Sequence, residues 1–135
     1  MKKIKVGFIC VHNSCRSQID EALANKYASD YIEAYSAGTE IDRSINKDAI
    51  RIVKDLHGIN MEEKQKVKLL SDIPDMDMII TMGCNVECPI LPYEYLVEDW
   101  GLEDPTGKDD IEFKKVINEI NNKIEDLVLK IKNKY

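Results

Sequence analysis

Along the chain, short apolar runs alternate with stretches in which apolar residues return every three or four positions, the pattern of strands separated by amphipathic helices. Ile4 to Ile9 reads as a first strand, and Ser17 to Ser29, with Ile19, Ala22, Leu23 and Tyr27 at helical spacing, as a first helix. Tyr31 to Ala37 makes a second strand closed by Gly38. Asn46 to Leu56 puts Ala49, Ile50, Val53 and Leu56 on one helical face and stops at Gly58 and Asn60, residues suited to ending a helix. Met76 to Met82 is a third strand and Tyr95 to Val97 a short fourth. From Asp110 to about Lys132 an apolar stripe including Val116, Ile120, Ile124 and Ile131 lies opposite lysines and acids, which predicts a long helix packed on the sheet.

The order βαβα, then β, β and α, predicts an α/β fold: an open, mostly parallel four-stranded sheet with helices on both faces. A length of 135 residues suits one domain with one core, spanning 1–135, and a monomer is expected. The balance of 25 acidic against 19 basic residues gives a net charge of −6, which argues against nucleic acid or an anionic membrane as the main partner. Met1-Lys2-Lys3 leads straight into the first strand, and no apolar stretch approaches the roughly 18 residues of a transmembrane helix. A cytoplasmic protein with mostly reduced cysteines is therefore expected. The charged segment Glu62 to Lys68 reads as a solvated helix or loop face.

Chemistry concentrates where the first strand hands over to the first helix, at Cys10-Val11-His12-Asn13-Ser14-Cys15-Arg16-Ser17. At such a junction successive backbone N–H groups and the helix dipole converge, favouring bound anions and stabilising a thiolate. Arg16 adds a planar fork suited to a tetrahedral oxyanion. Cys10 is thus the candidate nucleophile, and Val11, His12, Asn13, Ser14, Cys15, Arg16 and Ser17 form the candidate anion cradle. In open parallel sheets ligands bind at the carboxyl ends of strands, where this loop lies.

Two more cysteines, Cys84 and Cys88 in Met82-Gly83-Cys84-Asn85-Val86-Glu87-Cys88-Pro89, follow the third strand and emerge at the same sheet end. A structural zinc site, a pair of inert buried thiols and a redox relay are the three readings of that pair. In a helical turn their Cβ atoms would stand about 5–6 Å apart, whereas a disulfide needs about 3.5–4.5 Å. Forming a bond between them therefore requires the segment to remodel, with Gly83 giving slack and Pro89 biasing Cys88 away from helix. A turn-rich loop from Glu98 to Gly107 carries Asp104-Pro105, in which Pro105 restrains Asp104 to extended backbone. Trp100 reads as that loop's hydrophobic anchor.

The first loop resembles the low-molecular-weight protein tyrosine phosphatase family, and more closely its thiol-coupled arsenate reductases, whose loop usually reads C-x-G-N-x-C-R-S. The chain matches at Cys10, Asn13, Cys15, Arg16 and Ser17 and departs at His12, where the family commonly has Gly. Cys84 to Pro89 resembles the M-G-C-x-x-x-C-P form of one group of these reductases, a pair that phosphatases of the fold generally lack. Asp104-Pro105 matches the family's general acid, which by protonating a leaving oxygen supplies about 10²–10⁴-fold. Thr106-Gly107 stands where tyrosine phosphatases often have an aromatic, which favours a small inorganic substrate.

The resemblance implies that Cys10 attacks arsenate held by the loop and Arg16, that Asp104 protonates the departing hydroxide, and that Ser17 stabilises the thiolate. Cys84 would then attack Cys10, releasing arsenite. Cys88 would take over Cys84 and present a Cys84–Cys88 disulfide to thioredoxin or an equivalent dithiol. It implies no bound cofactor, and gives Cys15 no role beyond loop packing. Some relatives bind potassium at positions matching Asn13, Glu21 and Ser36 plus an aspartate, whose place falls near Val67 here. Two other readings use subsets of these residues: a tyrosine or small-molecule phosphatase needs Cys10, Arg16 and Asp104 alone, and a non-enzymatic arsenite or redox sensor needs only the thiols.

Overall fold

In a computed structural model that describes residues 3–10, 13–40, 44–83 and 93–134, the chain forms strands β1 (Ile4–Cys10), β2 (Ile32–Gly38), β3 (Met78–Thr81) and β4 (Leu96–Asp99). Its helices are α1 (Arg16–Tyr27), α2 (Lys47–His57), the single turn α3 (Met61–Lys64) and α4 (Asp110–Lys134), with a 3₁₀ turn at Leu70–Asp72. The strands lie in the order β2-β1-β3-β4. Every pairing is parallel, so the sheet is wholly parallel where the sequence predicts a mostly parallel one. Ile9 lies level with Ala37 on one side and Thr81 on the other, and Thr81 with Asp99. All four carboxyl ends therefore finish at one edge, and the loops that leave them share that edge.

Alternation along the strands sorts side chains between two clusters. Val6, Phe8, Cys10, Ile80 and Met82 face a core built with Ile19 and Leu23 of α1, Ile52 and Val53 of α2, and Phe113, Ile117, Ile120 and Ile124 of α4. On the opposite face Ile9, Ala37, Met76 and Ile79 pack with Leu70 and Ile73 around the 3₁₀ turn and with Tyr35, Tyr93 and Tyr95. Burying a side chain such as Phe8 or Ile120 contributes about 1.5–3 kcal/mol, and these two clusters fix the sheet on which the site is mounted.

Element ends follow local chemistry. Asn46 is the N-cap of α2 rather than its first turn, its side chain accepting from Ala49 N–H at 3.0 Å, and Gly58 ends the helix at φ 67°, as the turn residues predict. α1 starts one residue before the expected Ser17 and stops at Tyr27 instead of Ser29. Ala28 O there accepts from both Tyr31 and Ile32 N–H and turns the chain into β2. The charged segment departs most from expectation. Glu62, Glu63 and Lys64 are exposed as predicted, but Gln65, Val67 and Lys68 are half-buried, and Gly38 N–H donates to Lys68 O at 2.8 Å. This stretch is folded onto the end of β2 and onto α1 because its backbone completes bonds those elements leave open.

Beyond β3 the chain passes Gly83 at φ 84°, where an added Cβ would stand 2.8 Å from the Cα of Gly101. Both the left-handed conformation and the close approach require glycine. Gly83→Ala is expected to lose about 2 kcal/mol or more of stability, read as a lower urea midpoint at unchanged slope.

Candidate active site

β1 ends at Cys10 and α1 begins at Arg16, so the first motif is the strand-to-helix loop its pattern predicts. Val11 and His12 lie outside the described residues. Asn13 has φ 56°, a left-handed conformation that Asn tolerates better than most non-glycine residues. The loop is tied to α2 by Asn46 N–H donating to Ser14 O at 2.7 Å. Cys10, Asn13, Cys15, Arg16 and Ser17 are all buried.

The sulfur of Cys10 lies 2.8 Å from Ser17 Oγ, and Asn13 Nδ2 donates to the same oxygen at 2.9 Å. An amide nitrogen only donates, so Ser17 Oγ accepts there and keeps its one proton for the sulfur. The orientation of Asn13 is fixed in turn, because its Oδ1 accepts from Lys68 N–H at 2.8 Å and from Gln18 Nε2 at 2.9 Å, groups that can only donate. Hydrogen-bond direction therefore runs from Lys68 through Asn13 and Ser17 to Cys10, so that the last donor is aimed at the sulfur.

Arg16 Nη1 donates to Met82 O at 2.9 Å and to Leu102 O at 2.8 Å. These carbonyls stand two residues before Cys84 and two before Asp104, so one guanidinium nitrogen joins the loop to both later segments. With the two hydrogens of Nη1 committed, the three N–H groups of Nε and Nη2 form the edge whose geometry suits an oxyanion.

Asp104 is exposed and Pro105 buried. Thr106 closes a turn on Asp104 Oδ1 with its N–H at 3.1 Å and its hydroxyl at 2.7 Å, so both bonds fall on one carboxylate oxygen. Burial first, then the nearby charge of Asp104, pushes the Cys15 thiol up to about 12, with the Thr106 hydroxyl acting in the opposite sense. Asp104 and Thr106 thus lie across the loop from Cys15, and Cys15 is held as a neutral thiol at ordinary pH. Trp100, 6% exposed, packs on Phe8 with ring centroids 5.5 Å apart and anchors the Asp104 loop as expected.

Cys84 and Cys88 lie outside the described residues. Among the described residues no group of three His, Cys, Asp or Glu could hold a metal. Glu21 and Ser36 do meet, Ser36 Oγ donating to Glu21 Oε1 at 2.9 Å, and the Lys68 ammonium stands 3.2 Å from that oxygen. A cation of the chain itself therefore sits at two of the positions tied by resemblance to potassium.

Gln18 and Asp20 do not figure among the residues that the sequence singles out, Lys68 reads there as part of a solvated face, and Thr106 only as the replacement of an aromatic. A signal for the first two was present: Arg16, Ser17, Gln18, Asp20 and Glu21 are too many polar residues for one solvent face of a helix turn. The structure buries all of them, because α1 is enclosed by the sheet, α4 and the Gln65–Lys68 stretch.

A family model for low molecular weight phosphotyrosine protein phosphatase matches residues 5–135. Arsenate reductase 1 of Staphylococcus epidermidis is 37% identical over 128 residues, 93% of this chain and 96% of that protein. Among solved structures, an arsenate reductase in the phosphate binding state has a TM-score of 0.82 and 33% identity over 96% of this chain and 99% of its own. The Corynebacterium glutamicum thioredoxin-dependent arsenate reductase has a TM-score of 0.79 and 36% identity over 98% of this chain and 64% of its own. The chain belongs to the low molecular weight phosphotyrosine protein phosphatase family.

Asp20 is fully buried with neither carboxylate oxygen hydrogen-bonded. Desolvation raises its pKa well above the ordinary carboxylate value, against the opposing charges of Arg16 and Lys123. Its folded pKa exceeds its unfolded one, so its contribution to stability is full below the unfolded value of about 4 and is lost as pH rises toward the folded value. Asp20→Asn should remove that loss, making the variant more stable than the parent at pH 8 by a larger margin than at pH 4, as compared by urea unfolding.

Proposed function

We propose that this family member is an arsenate reductase, with Cys10 as nucleophile and Cys84 and Cys88 as the thiols that carry away the oxidising equivalents. The observation that most supports the reading is the directed bond chain onto Cys10, 2.8 Å from Ser17, in a protein so alike to arsenate reductases along its length. The loop N–H groups and the free edge of Arg16 hold the oxyanion. Cys10 thiolate attacks arsenic, and one arsenic-bound hydroxyl leaves as water after taking a proton from Asp104.

The second half of the reaction is thiol exchange. Cys84 thiolate attacks the sulfur of Cys10, an S–S bond forms, and the S–As electron pair stays on arsenic, which leaves as arsenite. Cys88 then attacks Cys84 and frees Cys10 as thiolate. An external dithiol, thioredoxin or an equivalent, reduces the Cys84–Cys88 disulfide and closes the cycle. Met82 O, bound by Arg16, keeps the start of the Cys84 segment beside the loop. No bound cofactor enters this cycle, and the enzyme acts as a cytoplasmic monomer.

A phosphatase would use Cys10, Arg16 and Asp104 and leave Cys84 and Cys88 idle. With a thioredoxin system the parent should form arsenite from arsenate over many turnovers and hydrolyse an aryl phosphate only as a side activity. Cys10→Ser should abolish both activities, and Arg16→Lys should lower both by about 10²-fold or more, since a point charge cannot replace the paired fork. Cys88→Ser should release one arsenite per enzyme and stop with a Cys10–Cys84 disulfide, identifiable by peptide mapping. Cys84→Ser should stop earlier, with aryl phosphate hydrolysis retained. Parental arsenate turnover by both single variants contradicts the relay and leaves the phosphatase reading in its place.

A further inference from the structure

Lys68 reaches the Cys10 bond chain through its backbone while its side chain is committed to α1, β2 and its own stretch. Its N–H orients Asn13. Its ammonium lies 3.2 Å from Glu21 Oε1, in an ion pair whose side chains are only 14% and 9% exposed, and contacts Ser36 Oγ at 3.4 Å and Lys66 O at 3.1 Å. Lys66 O also accepts from Gln18 Nε2 at 2.9 Å, and Gln65 Nε2 donates to Gln18 O and Oε1 at 3.0 and 2.7 Å. The stretch 65–68 is thereby stapled to α1 through Glu21 and Gln18, one turn below the loop.

We propose that Lys68 is a positioning residue for Cys10: its ammonium, held by Glu21, Ser36 and Lys66 O, fixes the 65–68 backbone so that Asn13 directs the Ser17 proton onto the sulfur. The proposal rests on Cys10 being the nucleophile but not on the identity of its substrate. Without the clamp, Lys68 N–H drifts from Asn13 Oδ1, the amide loses its fixed orientation, and Ser17 can turn its proton away. The loss of one hydrogen bond to a charged group then appears as a thiol that ionises at higher pH.

The test is the pH dependence of Cys10 alkylation by iodoacetamide, followed by peptide mapping on folded protein free of oxyanions. Lys68→Met should move the midpoint up by about one pH unit. Part of such a rise could come from Glu21 left as an unpaired buried charge, and that change could also weaken folding. The double variant Lys68→Met, Glu21→Gln removes that charge, and Arg16, Cys15 and Asp104 around the loop are untouched. Under the proposal the double variant keeps a raised midpoint, and in Lys68→Ala, where the side chain leaves space, ammonium chloride shifts the midpoint back toward the parent when sodium chloride of equal strength does not. A parental midpoint in the folded double variant overturns the proposal. Because alkylation needs no arsenate, failure of arsenate reduction with a raised midpoint would count against the proposed function and leave the positioning role standing.

Discussion

The orientation of one side-chain amide, that of Asn13, is the constraint on which the site depends. A thiolate at the end of β1 needs donors aimed at it, and Ser17 can serve only while its lone pair is occupied from behind. Asn13 Nδ2 occupies it, and donors on the far side of the amide, Lys68 N–H and Gln18 Nε2, prevent the flip that would reverse the chain. The left-handed backbone of Asn13, φ 56°, is what brings its side chain back beneath its own loop. Changing this residue would disturb the loop conformation and the hydrogen-bond direction together.

A protein of net charge −6 must build an anion site locally. Backbone dipoles at the start of α1 and the guanidinium of Arg16 supply the positive potential. Arg16 also spends one nitrogen on the carbonyls of Met82 and Leu102, so the group proposed to hold an oxyanion is fastened to the segments leading to Cys84 and Asp104. The parallel sheet makes this possible, because level carboxyl ends bring three loops distant in sequence to one edge. Asp20 is the exception to good pairing, a buried acid kept from ionising one helical turn from Arg16, and in its neutral form it leaves the positive field at that end of α1 intact.

The strand and helix order, the Cys10 loop and its place at the sheet edge were legible because each rests on local periodicity or turn chemistry. The Asp104 loop was legible through Asp104-Pro105, and its buried anchors Trp100 and Pro105 follow the hydrophobic pattern. The inward role of Gln65–Lys68 was not legible: its side-chain contacts with other elements lie 32 to 55 positions away in the chain, and a charged run reads as solvated unless those contacts are known. For the first part of α1 the crowding of polar residues was visible but its resolution was not, since Arg16, Gln18 and Glu21 are paired with groups far along the chain and Asp20 is buried without a partner.

Whether the Cys10 loop is a working oxyanion cradle decides the function proposed for this site. The most direct measurement is the rate of Cys10 alkylation at neutral pH as arsenate is titrated in, with Cys15 followed in the same peptide map. Arsenate should protect Cys10 saturably, an anion of different shape such as nitrate should protect it less, and Cys15 should not be labelled at any concentration. Labelling of Cys10 that is indifferent to arsenate would contradict that function.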